Sequence, residues 1–446
     1  MGGIIRSFGR VTLAILILTA VSGCGILDFL DEDAQKPLEG KRISILLHER
    51  TLSADPELSS VQIVLPAPTP NAEWPQAGGY PNHAMHHIQA ADSLQRVWST
   101  DIGSGADSET RMMGSPVIAG GIIYTLDSQT NVSAYDSKTG NRLWITELTP
   151  DEEDDGHMGG GVAFEDGQIF VTTGFNQIIA LNAKDGTRQW SVTLDAPMRT
   201  APTARGGRVF VLTITNELQA LDARDGKMLW THTGLNESAS LLGYASPAVD
   251  KGVVVVPYSS GELVALSVDK GRVLWQDSIS AIRRTDAISG LAHIRGRPVI
   301  DRGRVIAISN SGMMATIDLR TGRRIWDNRI GGMESPWVAG DYIFVLTNDA
   351  EIAAVSRNDG RIFWVRGLPK FTDPEDQEGL ITWTGPILVS DRLLVAGSHG
   401  KVMAVSPYDG QILGSEDMPD GITVPPVVAN GQVLFLANDA ELIAYQ

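Results

Sequence analysis

A spacing of 28 residues between a proline and a tryptophan recurs along this chain and limits its fold more than any other feature. Within the copies an alanine follows the proline by 18 residues in four cases, and a glycine always precedes the tryptophan by four. Fixed internal spacing with variable gaps between copies indicates stacked supersecondary units joined by loops. The five regular copies are Pro116–Trp144, Pro202–Trp230, Pro247–Trp275, Pro298–Trp326 and Pro336–Trp364. Two degenerate copies keep the frame, with Val162 in place of the proline before Trp190 and Gly414 in place of the tryptophan after Pro386.

Each copy divides into four short segments rich in Val, Ile, Leu and Tyr, separated by turn residues, which predicts four strands. The last turn contains Thr-Gly or Asp-Gly, which supplies the positive φ of a tight hairpin. The tryptophan of the last strand is large enough to fill the space between neighbouring units. Radially arranged four-stranded units make a β-propeller. In the first copy the predicted strands are Pro116–Ala119, Ile122–Leu126, Val132–Tyr135 and Arg142–Glu147.

Two incomplete copies at opposite ends of the repeat region complement each other. Leu94–Trp98 resembles the end of a copy without its beginning, whereas Pro426 opens a copy that stops before its last strand. Pairing the two fragments would close the ring and cover the sheet edges that promote aggregation. Seven frames plus this split one predict an all-β fold over residues 74–446. It is an eight-bladed propeller of four-stranded antiparallel blades, closed by its N- and C-terminal strands.

The first 23 residues have the composition of a secretory signal peptide. Arg6 and Arg10 precede an apolar run, Val11–Val21, that is shorter than the roughly 20 residues a bilayer-spanning helix needs. The sequence Val-Ser-Gly-Cys that follows resembles a bacterial lipobox and predicts lipidation at Cys24, the single cysteine of the chain. By the same resemblance, Gly25 after the cysteine implies that the lipoprotein is located at the outer membrane. The mature chain then has no intrachain disulfide.

Residues 24–73 combine an acidic patch with a proline-rich run, Leu65–Pro70. This composition is typical of a spacer, and we predict a lipidated N-terminus followed by a flexible tether. The net charge of −17 and pI near 4.9 argue against nucleic acid as a partner and against a general affinity for anionic lipids. Contact with the membrane is therefore expected through the lipid anchor only.

Two short stretches of the sequence contain residue types that can bind metal ions. His83, His86 and His87 are close enough in sequence to suggest a metal site, but no spaced Cys, Asp or Glu set accompanies them. We interpret them as part of a loop that caps the propeller entrance. The acids at 151–155 are contiguous, whereas a calcium loop needs alternating ligands. We predict no metal, and in the absence of a Gly-x-Ser-x-Gly elbow or a Ser-His-Asp arrangement, no catalytic residues.

The unit Ala-x-Asp-x-x-Thr-Gly-x-x-x-Trp, from Ala134 to Trp144 and again from Ala220 to Trp230, resembles the tryptophan-docking repeat of pyrroloquinoline-quinone propellers. That family includes periplasmic quinoprotein dehydrogenases and cofactor-free BamB-like lipoproteins that assist outer-membrane β-barrel assembly. The dehydrogenases resemble one another in a vicinal cysteine pair, which this sequence lacks.

The resemblance to the BamB-like class therefore implies a non-catalytic scaffold without a cofactor, held by its lipid at the periplasmic face of the outer membrane. Implied partners are the POTRA domains of the barrel insertase, other lipoproteins of the assembly complex and unfolded outer-membrane proteins, whose strands could add to blade edges. Two alternatives remain open: a quinone-dependent dehydrogenase and a sugar- or cell-wall-binding propeller.

In the BamB-like class, loops between central blades contact the POTRA domains, and the corresponding loops here supply candidate partner-binding residues. Consecutive leucines exposed on such a loop would anchor a partner, although both could instead pack beneath the loop. A leucine stands at 242 where the family often has arginine, and an acidic pair is replaced around 293–295. The candidates are Leu241, Leu242, Gly243, Tyr244, His293 and Arg295. The predicted structural tryptophans are Trp98, Trp144, Trp190, Trp230, Trp275, Trp326 and Trp364.

Overall fold

The computed structural model describes residues 52–150, 158–235, 237, 241–243, 245–280 and 292–446. In this part of the chain, eight four-stranded antiparallel sheets and one two-stranded hairpin account for all the strands. Its single helical element is a 3-10 turn, Pro56–Leu58, and no helix within it is long and apolar enough to cross a membrane. The predicted all-β, eight-bladed propeller is confirmed.

The blades follow one another along the chain, except that the first strand, β1 (Arg96–Asp101), belongs to blade 8. Blades 1 and 2 comprise β2 (Val117–Ala119), β3 (Ile122–Leu126), β4 (Asn131–Asp136), β5 (Arg142–Glu147), β6 (Gly160–Glu165), β7 (Gln168–Thr173), β8 (Gln177–Asn182) and β9 (Arg188–Thr193). Blades 3 and 4 comprise β10 (Thr203–Ala204), β11 (Arg208–Leu212), β12 (Glu217–Asp222), β13 (Met228–Thr233), β14 (Ala248–Asp250), β15 (Val253–Pro257), β16 (Glu262–Ser267) and β17 (Val273–Ser278).

Blades 5 and 6 comprise β18 (Val299–Asp301), β19 (Arg304–Ile308), β20 (Met314–Asp318), β21 (Arg324–Asn328), β22 (Trp337–Ala339), β23 (Tyr342–Leu346), β24 (Glu351–Ser356) and β25 (Ile362–Gly367). The extra hairpin, β26 (Phe371–Asp373) and β27 (Glu378–Leu380), precedes blade 7. Blades 7 and 8 comprise β28 (Trp383–Val389), β29 (Arg392–Gly397), β30 (Lys401–Val405), β31 (Ile412–Asp417), β32 (Val427–Ala429), β33 (Gln432–Leu436) and β34 (Glu441–Tyr445), with β1 as the fourth strand of blade 8.

The first strand of each blade lies nearest the ring axis. First strands of neighbouring blades contact one another, as β2 does with β6 and β14 with β18. All three residues of β2 are buried, whereas β5, the outermost strand of the same blade, has only exposed and half-buried positions. Strands covered on both faces are therefore continuously apolar, and rim strands are more polar.

The ring closes as the two incomplete copies predict. β1 pairs antiparallel with β34, with Trp98 opposite Ala444 and Asp101 opposite Glu441. The repeated Ala–Trp spacing produces the same cross-strand pair in complete blades, where Ala134 lies opposite Trp144 and Ala220 lies opposite Trp230. Cross-strand partners share one face of the sheet, so the small residue leaves room beside the large one.

At the rim, a tryptophan of one blade packs against a glycine of the next, a contact that we name the tryptophan seal. Gly140 has φ +72°, and a Cβ there would lie 2.6 Å from Cε3 of Trp98. Only glycine combines this backbone conformation with the missing side chain. The indole N–H of Trp98 also donates to the carbonyl of Ser137 at 3.2 Å. Within the described residues seven junctions have a seal: Trp98 on Gly140, Trp144 on Gly186, Trp190 on Gly226, Trp230 on Gly271, Trp275 on Gly322, Trp326 on Gly360 and Trp364 on Gly410.

The junction between blades 7 and 8 has no seal. Gly414 of β31 occupies the tryptophan position, and a Cβ there would meet nothing within 4 Å. No turn connects the third and outermost strands of blade 8, since β34 and β1 come from distant parts of the chain. An apolar cleft results, lined in part by Leu94, Leu394, Leu413, Phe435 and Tyr445.

The prediction of a flexible tether is wrong for residues 52–73, which lie against the propeller. The amide of Asp55 donates to the carbonyl of Ile362 at 2.8 Å, and the amide of Val64 donates to the hydroxyl of Tyr342 at 3.1 Å. Ile63 is buried in the core cluster of the last blades. Prolines set an extended chain without preventing such edge contacts, so composition alone misjudged this segment. The rest of the predicted tether, 24–51, and the signal peptide lie outside the described residues.

Residues 69–90, which we name the belt, run past the first strands of all eight blades in ring order. The contacts are Asn71 O with Asn430 N in blade 8, Trp74 O with Ile118 N in blade 1, Pro75 O with Phe164 N in blade 2, the Gln76 side chain with Ala204 N in blade 3, Pro81 O with Val249 N in blade 4, Asn82 O with Ile300 N in blade 5, His86 O with the Trp337 indole in blade 6 and Ile88 O with Ser390 N in blade 7.

The two ends of the belt meet. The amide of Thr69 donates to the carbonyl of His87 at 2.9 Å, and the amide of Gln89 donates to the carbonyl of Thr69 at 2.8 Å. Since Asn71 contacts blade 8 and Ile88 contacts blade 7, this overlap spans the one junction without a tryptophan seal.

Candidate partner-binding face

The loops that lead into the first strands of the blades converge around the axis. Ala77 of the belt lies below these loops and forms part of the floor of the cavity between them, which measures about 80 Å³. Loops on a rigid scaffold are common positions for binding residues. The cavity walls include one or more residues from each of six such loops, among them Gly114, Thr200, Gly243, Arg295, Glu334 and Val424.

Two of these loops contain the candidate partner-binding residues, and the structure places them in contact. The amide of Leu241 donates to Nδ1 of His293 at 3.2 Å. Gly243 has φ +87°, and a Cβ there would lie 3.2 Å from Nε of Arg295 and 3.6 Å from Cε of Met113. The loops before blades 4 and 5 therefore form one continuous surface. Tyr244, the remaining candidate of the first loop, lies outside the described residues.

The two leucines differ in exposure. The side chain of Leu242 is 41% exposed, whereas Leu241 is only partly accessible. Neither of the two sequence interpretations holds for both residues: Leu242 faces solvent and Leu241 packs against its neighbours. Leu242 is thus the leucine available to a partner.

His293, expected from the sequence to contact a partner, is instead fully buried. Burial, with a smaller contribution from the positive charge of Arg295, lowers the pKa of His293 from 6.5 to about 4. The ring is neutral at pH 7 and accepts a hydrogen bond from Leu241, so its role is to position the preceding loop. Sequence reasoning missed this burial because the two loops are 52 residues apart.

Arg295 links three blades through an ion pair. Its Nη1 lies 3.3 Å from Oε1 of Glu334, in the loop before blade 6. The other oxygen of Glu334 accepts a hydrogen bond from Oγ1 of Thr384, in blade 7, at 2.9 Å. The guanidinium is therefore held in a fixed direction at the edge of the axial cavity.

The three clustered histidines have separate surroundings in the belt. Nδ1 of His83 donates to the carbonyl of Pro298 at 2.8 Å, and Nδ1 of His87 donates to the carbonyl of Pro66 at 2.7 Å. His86 is exposed and lies 3.7 Å from Asp301. Burial lowers the pKa of His83 to about 3, with a further contribution from Arg297. In the part of the chain that the structure describes, no three His, Cys, Asp or Glu side chains are grouped as metal ligands would be.

Two predictions fall on residues that the structure does not describe: the lipidation site Cys24 and the acidic loop at 151–155. The structural tryptophans, by contrast, all lie at blade junctions, as described above. The course of the belt around the ring was not predicted from the sequence, and of the axial-cavity arginines only Arg295 was, since Arg199 and Arg297 do not form part of the repeat.

A family model described as "Outer membrane protein assembly factor BamB" matches residues 82–157 and 128–366, more than half of the sequence. The chain belongs to this family. Curated relatives named outer membrane protein assembly factor BamB include one from Salmonella typhimurium, 28% identical over 208 residues, which is 46% of this chain and 51% of that protein. Another, from Escherichia coli K12, is 27% identical over 203 residues, 45% of this chain and 50% of that protein. The chain thus matches about half the length of these relatives.

Solved structures show how widely the fold is shared. The crystal structure of BamB from Moraxella catarrhalis superposes with a TM-score of 0.68 at 21% identity and covers 79% of this chain and 100% of that one. A europium-containing methanol dehydrogenase superposes with a TM-score of 0.64 at 14% identity, covering 83% and 89%. Such similarity shows the fold alone, so the choice between scaffold and enzyme depends on the residues.

Proposed function

We propose that the protein is a non-catalytic scaffold that assists the assembly and insertion of outer-membrane β-barrel proteins by binding the periplasmic POTRA domains of the barrel insertase. Family membership supports the biological role. The observation that carries the binding mode is the contact of Leu241 with His293 and of Gly243 with Arg295, which supports the exposed Leu242 between them in sequence. An exposed apolar side chain on a rigid loop, in contact with a loop that carries an arginine, offers an anchor for a partner.

Other lipoproteins of the assembly complex and unfolded outer-membrane proteins are the further proposed partners. A lipid on Cys24 would hold the scaffold at the periplasmic face of the outer membrane, with no cofactor besides that lipid. Cys24→Ser should then abolish palmitate incorporation and release the protein from membranes. The sequence has one cysteine, so the vicinal pair of quinoprotein dehydrogenases cannot form. Purified protein supplied with pyrroloquinoline quinone should show no dye-linked alcohol oxidation, and measurable turnover would overturn the non-catalytic assignment.

The experiment that tests the scaffold is affinity purification from gently solubilised envelopes, comparing Leu242→Asp with the wild type. We expect the wild type to retain the insertase and the variant to lose it, since a buried unpaired carboxylate at the contact is costly. Leu274→Asp is the matched control, because Leu274 is 42% exposed on the rim strand of blade 4. If Leu274→Asp loses the insertase and Leu242→Asp retains it, the insertase contacts the blade edge instead. Absence of the insertase from the wild-type sample would refute the proposal.

A further inference from the structure

The axial cavity concentrates positive charge in a protein whose net charge is −17. Three arginines line it: Arg199 from the loop before blade 3, and Arg295 and Arg297 from the loop before blade 5. Glu334 is the carboxylate among its lining residues. Within this lining the basic groups exceed the acidic ones by two, and hydroxyl groups of Ser115, Thr200, Ser335 and Thr423 complete the polar wall.

The hydrogen-bond capacity of these arginines is not fully used. Arg295 pairs with Glu334, whose second oxygen already accepts from Thr384. Nε of Arg199 and Nε of Arg297 are both buried and have no hydrogen-bond partner. A buried donor left without an acceptor destabilises the protein, and a charged donor does so more strongly. A ligand that supplies acceptor oxygens would remove that cost.

His83, in the belt, leaves the charge balance of the cavity unchanged. The ring is neutral at pH 7, because burial and the charge of Arg297 both disfavour its protonation. Burial, followed by repulsion from Arg295, also lowers the pKa of Arg297, while the charge of Glu334 acts in the opposite direction.

We propose that the axial cavity binds a carboxylate group, carried either by a small organic acid or by an acidic side chain or C-terminus of a polypeptide. Guanidinium forks match the planar geometry of a carboxylate and form two parallel hydrogen bonds with it. The volume of about 80 Å³ exceeds the roughly 10–15 Å³ that one water molecule requires, so a carboxylate on a short chain has room. This binding does not depend on the proposed function, since it is a property of the isolated propeller.

The test uses the purified chain and three probes at constant ionic strength: sodium glutarate, acetyl-Ala-Glu-Ala-amide and acetyl-Ala-Gln-Ala-amide. Binding is measured by saturation-transfer NMR and by the rise in Tm relative to sodium chloride. We expect saturable binding of glutarate, of the glutamate peptide or of both, and none of the glutamine peptide. Whichever carboxylate binds identifies the source.

Two variants should change the Kd in opposite directions. Arg199→Gln removes one guanidinium and should weaken binding about tenfold, whereas Glu334→Gln removes the competing carboxylate and should tighten it about fivefold. Arg188→Gln, on the exposed rim strand β9, is the control and should leave the Kd unchanged. If Arg199→Gln does not fold, Glu334→Gln alone decides. No binding of either carboxylate, or equal binding of the glutamine peptide, would overturn the proposal, as would a Kd that Glu334→Gln leaves unchanged.

Discussion

At seven blade junctions a tryptophan packs on a glycine at the rim. The junction between blades 7 and 8 lacks this contact, and blade 8 is assembled from distant parts of the chain. In blade 8, β1 pairs with β34, and at the axis the two ends of the belt overlap beside Ile88. Blade 8, which borders the junction without a seal, is therefore completed by backbone pairing between segments more than 300 residues apart. At the rim, the ring therefore depends on long-range pairing in blade 8 and on local, repeated packing at the seven sealed junctions.

The strongest way to break this comparison is to delete residues 441–446, which form β34 and the last residue. β1 would lose its partner in blade 8, and we expect loss of the cooperative thermal transition. The control deletes another six residues, 373–378, at the exposed tip of the β26–β27 hairpin, and should keep the transition. An unchanged Tm after removal of β34 would show that backbone pairing does not close the ring.

Trp364→Ala removes one seal and should lower the free energy of unfolding by about 3–5 kcal/mol, because a buried aromatic side chain is replaced by a cavity. Trp364 is buried and its indole donates to the carbonyl of Pro407 at 3.1 Å. At the eighth junction, Leu413→Ala should change the same quantity by no more than about 0.5 kcal/mol, since Leu413 is 55% exposed. Urea unfolding followed by tryptophan fluorescence and circular dichroism measures both. Equal effects would contradict the distinction between junctions.

Two glycines separate the packing role of the seal glycine from its backbone conformation. Gly271 and Gly252 both have positive φ, +63° and +77°, but a Cβ at Gly271 would lie 2.4 Å from Cε3 of Trp230, whereas one at Gly252 meets nothing within 4 Å. Gly252→Ala should cost about 1–2 kcal/mol from backbone strain alone. Gly271→Ala should cost about 1–3 kcal/mol more, because the indole must move. Matching Tm values for the two variants would show that the glycine is required only for its backbone conformation.

The smallest expected effect concerns His83 in the belt, which crosses all eight junctions. It is a dependence of the free energy of unfolding on pH. The pKa of His83 is about 3 in the folded protein and near 6.5 when unfolded, so the unfolded state binds more protons between these values. Stability is then complete above pH 6.5 and falls as the pH decreases, by about 1 kcal/mol between pH 6.5 and 5.5. His293, with a folded pKa near 4, contributes in the same direction.

His83→Asn tests this dependence, because asparagine tolerates the φ of +58° at this position and does not titrate. The stability of this variant should decline less steeply with acid than that of the wild type in urea unfolding at pH 6.5 and 5.5. Parallel pH profiles would exclude protonation of His83 as a cause of destabilisation.

The sequence predicted those parts of the fold that depend on periodic spacing. The Pro–Trp spacing predicted the blades, and the incomplete copies at Trp98 and Ala444 predicted the closure. The belt was not predictable in this way, because the residues that contact successive blades are irregularly spaced between Asn71 and Ile88, which leaves no period to detect. Its proline-rich approach resembles a spacer in composition although it packs on the propeller.

The candidate site was predictable only in part. The two loops were identified from resemblance, but the burial of His293 depends on a contact with Leu241 that spacing does not reveal. The axial arginines come from loops almost 100 residues apart, Arg199 and Arg297, and meet only because the ring brings every loop to one axis. Single charged residues in separate loops look like ordinary surface residues in the sequence.

The belt has a mechanical consequence for binding. One short segment of chain is hydrogen-bonded to every blade of the ring, so an outward displacement of one blade would strain the hydrogen bonds of the segment to the neighbouring blades. Local widening of the propeller is therefore opposed throughout its circumference. Any conformational adaptation on binding is therefore expected in the loops and not in the diameter of the ring.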